Sequence, residues 1–169
     1  MYRVRQFWWA LCARRPEGAQ STLEALLSAE QLALFRRMSA ADQRHSLDVY
    51  RSLLATGYTN RDLLVAALLH DVGKAEGQLH LWHRVAVVLL RKWWPTMLER
   101  LGRDGAQGWR AGFVVHRRHP ELGAELARAA GCSPLTVSLI RHHQDATADP
   151  ADPEEARLLA ALQQADGVN

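Results

Sequence analysis

The stretch Leu68-Leu69-His70-Asp71-Val72-Gly73-Lys74 constrains this chain more than any other. A helical apolar pattern, with Leu63, Leu64, Ala67 and Leu68 toward a core, delivers a histidine and an aspartate side by side and then breaks at a glycine. Neighbours on a helix point about 100° apart, so His70 and Asp71 cannot both serve one buried face. Both can reach one cation if the helix end lies beside it. A neutral imidazole nitrogen and a carboxylate able to bridge two cations form a donor mix suited to Zn, Mn or Fe. Lys74 adds a fixed positive charge one turn on, where a phosphate oxygen would take it.

Around this stretch, helix signals dominate and no run shows sustained strand alternation. Ser21 with Glu24, and Ser28 with Gln31, are spaced as capping boxes for two short helices through Met38. Ser39 caps a helix to about Thr56, with Leu47, Tyr50 and Leu54 as its stripe, and Gly57 ends it. Asn60 caps the helix that carries His70. Val85 to Trp94 predicts an apolar helix stopped by Pro95, then a short helix to Leu101 and a loop marked by Gly102, Gly105 and Gly108. Pro120 is expected in the first turn of a helix over Glu121 to Ala130, closed by Gly131. Pro134 opens a helix reaching His142 and His143, and Pro153 opens the last, buried through Leu158, Leu159 and Leu162 with Asp166 near its end. The expected fold is all-α, a single-domain helical bundle, with residues 1–38 as a helical extension packed on a domain over 39–169.

Composition limits the function classes. Lys and Arg exceed Asp and Glu only by 21 to 18, too small a surplus for a nucleic-acid-binding surface. Cys12 and Cys132 lack CxxC spacing, which argues against a disulfide framework or zinc knuckle and fits a reducing, cytoplasmic setting. No apolar run approaches the roughly 18 to 20 residues a transmembrane helix needs. Val4, Phe7, Trp8 and Leu11 among Arg3, Arg5, Arg14 and Arg15 form a basic amphipathic helix. It is expected to pack on the domain, the other reading being peripheral membrane contact through residues 1–15. Trp82, Trp93, Trp94 and Trp109 are expected to be buried in packing, the other reading being an interaction surface.

The metal-capable residues fall in the order His45, His70, Asp71, His119, His142, His143 and Asp166. Taken singly, each has an ordinary explanation. A mid-helix His45 can be solvated, the His142–His143 pair suits a helix C-terminus, and Asp166 can be a surface acid. His80, His83 and His116 are placed in that ordinary class.

Together, in this order, they resemble the HD-domain superfamily of metal-dependent phosphohydrolases, whose pattern is H…HD…H…HH…D on a helical bundle. Arg44-His45-Ser46-Leu47-Asp48-Val49 is similar to the family's first histidine helix, and LLHDVGK is the most specific match. His119 opens HPELGAEL, similar to the HP-x-x-G-x-x-L segment of the HD-GYP and related branches. His142 and His143 match the paired histidines, and Asp166 in Gln164-Ala165-Asp166 the closing aspartate. The resemblance covers about residues 39–169. It implies two divalent transition metal ions held by all seven residues, with Asp71 as the bridge and Asp71 and Lys74 as the catalytic residues. The implied reaction is hydrolysis of a phosphomonoester or phosphodiester, a nucleotide being the favoured substrate, by a hydroxide bridging two metals. His45, His70, Asp71 and Asp166 alone would hold one metal. Arg117, Arg118 and Arg141, together with Lys74, are candidates to bind phosphate, against the reading of the three arginines as a solvated helix edge.

The chain departs from the HD-GYP pattern in two places. His143 is followed by Gln144-Asp145-Ala146 where that branch has a glutamate and then Gly-Tyr-Pro, which argues against cyclic di-GMP as substrate. Position 41 is alanine where some relatives carry a glutamate for a third metal. Two alternatives from other classes stay open at this point: a di-iron oxygenase of the HD type, and a non-catalytic HD module that senses a nucleotide or docks a partner.

Overall fold

A computed structural model describes residues 19–77, 81–103, 108–145, 147–148 and 150–169. The amphipathic segment 1–15 and His80 lie outside the described residues. Those described form helices and connecting turns with no strand, so the fold is all-α. In chain order the helices are α1 (Ala19–Leu26), α2 (Ala29–Arg37), α3 (Ala40–Ala55), α4 (Arg61–Leu69), α5 (Leu81–Trp93), α6 (Pro95–Leu101), α7 (Ala111–Ala129), α8 (Pro134–His142) and α9 (Pro153–Val168). Short 3-10 turns occupy Val72–Glu76 and Gly108–Arg110.

Local signals set most boundaries. Ser28 and Gln31 form a reciprocal capping box for α2, while Ser39, Asn60 and Ser133 each accept from the backbone three residues on. Gly57 and Gly131 end α3 and α7 in left-handed geometry, with φ of 86° and 73°. The amides of Tyr58 and Cys132 then reach back to the Leu53 and Ala127 carbonyls, which satisfies acceptors the helix ends would leave bare.

Helix α4 is the axis of the bundle. Every residue from Leu63 to Leu69 is buried, because α2, α3, α8 and α9 all pack on it. A helix enclosed on all sides can be apolar all round, and this one is from Leu63 to Leu69. Leu47, Val49 and Leu53 of α3, Leu139 and Ile140 of α8, and Leu158 and Leu162 of α9 close the core around it. Leu23 of α1, Leu27 in the turn after it, and Leu32 and Phe35 of α2 join the same core. Helices α5 and α6 stand apart from it, packed on each other and on α7.

Three expectations need correction. Helix α1 already begins at Ala19, so Ser21 sits inside it and is not its cap. The four tryptophans expected to be buried are exposed, at 46% for Trp82, 56% for Trp93, 59% for Trp94 and 60% for Trp109. Helix α7 starts at Ala111 and not at Pro120, which lies in its middle and beside His119.

Candidate metal centre

Because α4 runs through the middle of the bundle, the residues just past its last turn are also inside. His70 and Asp71 are both buried, and the turn Val72–Glu76 carries the chain away along α7. That path depends on glycine. A Cβ on Gly73 would lie 2.1 Å from the His119 carbonyl oxygen, and one on Gly123 would lie 3.3 Å from the Gly73 nitrogen. Bare backbone on both sides lets the turn press against α7, which places Asp71 Oδ1 3.3 Å from His119 Nε2.

Six of the seven expected residues converge here. Asp71 Oδ2 lies 3.6 Å from His70 Nε2, and its Oδ1 lies 3.3 Å from His119 Nε2 and 4.0 Å from His143 Nε2. His119 and His143 face each other through their Nε2 atoms at 3.3 Å. Asp166 Oδ1 reaches His45 Nε2 at 2.8 Å and His70 Nε2 at 3.5 Å. The donors fall into overlapping triads: His45, His70 and Asp71; His70, His143 and Asp166; Asp71, His119 and His143. Asp71 belongs to the first and the last of these, with one oxygen toward each.

His142 is not brought into these groups. Its side chain is 38% exposed, with Nδ1 3.9 Å from an Asp145 carboxylate oxygen. The inward stripe of α8 runs Thr136, Ile140, His143, a spacing of four and then three, and His142 points off that stripe. That spacing was available in the sequence as a signal for choosing between the two histidines.

The three fully buried rings are held in one tautomer. His70, His119 and His143 each present Nδ1 to the carbonyl three residues back, on Ala67, His116 and Ile140, at 2.9, 2.6 and 2.7 Å. A carbonyl accepts only, so each Nδ1 carries a proton, and each ring when neutral offers its lone pair at Nε2. Ala67 and Ile140 lie in the last turns of α4 and α8, where carbonyls lack helical partners.

Charge at the site is polarised. Burial alone would raise the Asp71 pKa, but Lys74, whose Nζ sits 2.5 Å from Oδ2, and then His70 and His119 hold it well below the usual carboxylate range. Burial likewise opposes ionisation of Asp166, and the His45 hydrogen bond and the His70 ring outweigh it and lower its pKa. For His70, burial disfavours the cation while Asp71 and Asp166 favour it, and the pKa rises. His143 moves the other way, down to about 3, through burial and the neighbouring His70.

The donor set fits a divalent metal. His70 Nε2 and Asp71 Oδ1 are buried and lack a hydrogen-bond partner, an arrangement that costs free energy unless something else satisfies them. Imidazole lone pairs and carboxylates converging from different helices are the chemistry a borderline transition metal takes. Beside them opens a cleft of about 590 Å³, with Arg117, Glu121, Arg141, His142 and Asp145 on its wall. His116 also lines it and stacks on the His119 ring, centroids 5.7 Å apart. Arg118 is exposed and off this wall.

His83 has a structural place instead. Its ring is buried against Trp82 and Phe113, and a Cβ on Gly112 would come within 2.5 Å of it. Sequence reasoning missed Gly73, Gly123 and Pro120 as parts of the site. It also missed Gln163, whose amide bonds the His142 and Asp145 carbonyls and holds the turn after α8.

The family model described as HD domain matches residues 43–166, from just before His45 to Asp166 itself. No curated protein and no solved structure matches the chain. HD domains bind divalent metals and are mostly metal-dependent phosphohydrolases. The match spans most of the sequence and encloses every residue of the converging donor groups: the chain belongs to the HD-domain family.

Proposed function

We propose that this protein is a phosphohydrolase that cleaves a phosphomonoester or phosphodiester, with a nucleotide as the favoured substrate and two divalent transition metal ions (Fe, Mn or Zn) as cofactor. The observation that carries the reading is Asp71, one oxygen toward His70 and the other toward His119 and His143. In this reading His45, His70, Asp71 and Asp166 hold one ion, and Asp71, His119 and His143 hold the second. When bound, the ions supply Lewis acidity and a water of lowered pKa.

The chain's own groups do the rest. Carboxylates kept ionised by their neighbours stay ready as ligands without a proton to displace. Lys74 orients Asp71 and keeps an ammonium at the site, where charge builds on a phosphoryl oxygen as it is transferred. Arg117 and Arg141 on the cleft wall bind the rest of the phosphate ester, and Glu121 and Asp145 between them disfavour uniformly anionic ligands. His142, on the same wall, contacts substrate in this reading and not the metals.

Metal content by mass spectrometry, followed by a screen of aryl phosphates and nucleotides, tests it. About two equivalents, falling toward one in His119→Ala, with hydrolysis lost in Asp71→Ala, is the expected result. One equivalent unaffected by His119→Ala would reduce the site to the His45 group. A mixed-valent iron signal without hydrolysis would move the protein to oxygen chemistry.

A further inference from the structure

Helix α5 shows its apolar side to solvent. Trp82, Val85, Val88, Leu89 and Trp93 are all exposed, and at about 100° per residue they occupy an arc of roughly 140°. Val87 and His83 on the opposite side are buried, so this outward face is not the one that holds the helix to the protein. The stripe continues past both ends of α5. Trp109 lies 6.5 Å from Trp82 between ring centroids, Trp94 lies 6.3 Å from Trp93, and Met97 of α6 is half exposed. With about 250 Å² per tryptophan, the four exposed rings alone present roughly 550 Å², toward the upper end for the largest apolar patch on a monomer.

The charge of the segment that carries this patch selects its partner. Residues 81–110 carry six Lys and Arg against two Asp and Glu, whereas the whole chain is nearly balanced. Lys92 falls within the apolar arc itself, its ammonium 5.4 Å over the Trp93 ring. Indole rings beside cations suit the boundary between acyl chains and anionic headgroups, where an amphipathic helix lies in the plane of the membrane. No helix among the described residues is long and apolar enough to cross a membrane, so this contact is at the surface. A second copy is disfavoured, because a two-fold pairing of this face would set Lys92 of one copy against Lys92 of the other.

We infer that α5, with Trp94, Met97 and Trp109, docks the protein on an anionic lipid bilayer. Helix α6 also lends Leu98 and Glu99 to the wall of the cleft, so docking brings the cleft mouth close to the headgroups. The docking itself is independent of the reaction catalysed.

Flotation of the full chain with phosphatidylcholine vesicles, with and without phosphatidylglycerol, tests the inference. Binding is expected only with phosphatidylglycerol, with a blue shift of tryptophan emission and weakening in high salt. Val88→Glu and Leu89→Glu change exposed positions and should each raise the lipid concentration needed by about tenfold, with metal content unchanged. No flotation at low salt overturns the inference. So does binding that survives both substitutions and disappears when residues 1–18 are removed. Concentration-dependent dimers abolished by Val88→Glu, in a protein that ignores vesicles, would assign the patch to a second copy instead.

Discussion

Pro120 decides which way its neighbour His119 faces. Residue 120 of a continuous α7 would ordinarily donate its amide hydrogen to the His116 carbonyl, four residues back, and proline has none to give. The His119 ring supplies that hydrogen from Nδ1 at 2.6 Å. Nε2 is thereby left as an acceptor, directed at Asp71 and His143.

Pro120→Ala should therefore separate stability from metal affinity. An interior proline costs a helix about 3 kcal/mol, and tertiary packing here already accommodates it, so the variant should melt no lower than the parent. With an amide competing for the His116 carbonyl, the His119 ring is less fixed, and affinity for the second metal should fall about tenfold. Thermal unfolding and metal titration on the same samples check both halves. An affinity equal to the parent's would show that the proline does not set the tautomer.

Gly73→Ala should fail in a different way. The added methyl would meet the His119 carbonyl at 2.1 Å, and the atoms it meets are backbone, so the whole turn must move. A loss of about 1–3 kcal/mol is expected from overpacking, together with loss of metal as Asp71 leaves His119. Denaturant midpoints and metal analysis measure this. Undiminished metal content would mean the turn and α7 can part without disturbing Asp71.

Lys74→Gln should leave the metals and weaken the chemistry. Asp71 keeps His70 and His119 near its carboxylate, so it remains a ligand in the charge state the site needs. The lost ammonium should lower kcat by about 100-fold or more, with KM changing less. Steady-state kinetics on an aryl phosphate decide it. An unchanged kcat would reduce Lys74 to a structural partner of Asp71.

Metal-free protein should be most stable near pH 6.5. His143 titrates at about 3 when folded against 6.5 when unfolded, so between those values only the unfolded chain takes the proton, and stability falls as pH drops. His70 has a raised pKa, so its contribution is complete below 6.5 and is lost as pH climbs through the raised value. Asp71 and Asp166 act only in stronger acid, since their lowered pKa values contribute fully above the ordinary carboxylate range. Melting of chelator-treated protein at about pH 5, 6.5 and 8 should show a maximum at the middle value. Stability still rising toward pH 5 would contradict the assignment for His143.

The parts of this design written in adjacent residues were the legible ones. Ser28, Ser39 and Asn60 cap their own helices and Pro134 opens α8, so four boundaries could be read within a few residues. The order of histidines and aspartates around LLHDVGK was equally local. What escaped depended on neighbours far away in the chain. A proline before a run of helix formers reads as a first turn, and only α7's packing against the Val72–Glu76 turn explains its place at mid-helix. His70–Asp71 and His142–His143 look equivalent as pairs. They differ because α4 is enclosed on every side, so two directions 100° apart are both interior, whereas α8 has one face on the cleft. The tryptophans were misjudged by the general tendency of large apolar rings to be buried, a tendency α5 does not follow.

The contact between His45 and Asp166 joins residues 121 positions apart in sequence, one on α3 and the other on α9. Asn169 repeats the join two turns further along α3, through its amide to the Ser52 hydroxyl. The donor cluster is thus also a seam, where the first and last helices of the matched region are stitched together. A cation bound between them would hold α3 to α9 as well as to its other ligands, so loading the site is expected to stabilise the bundle as a whole and not only the turn after α4.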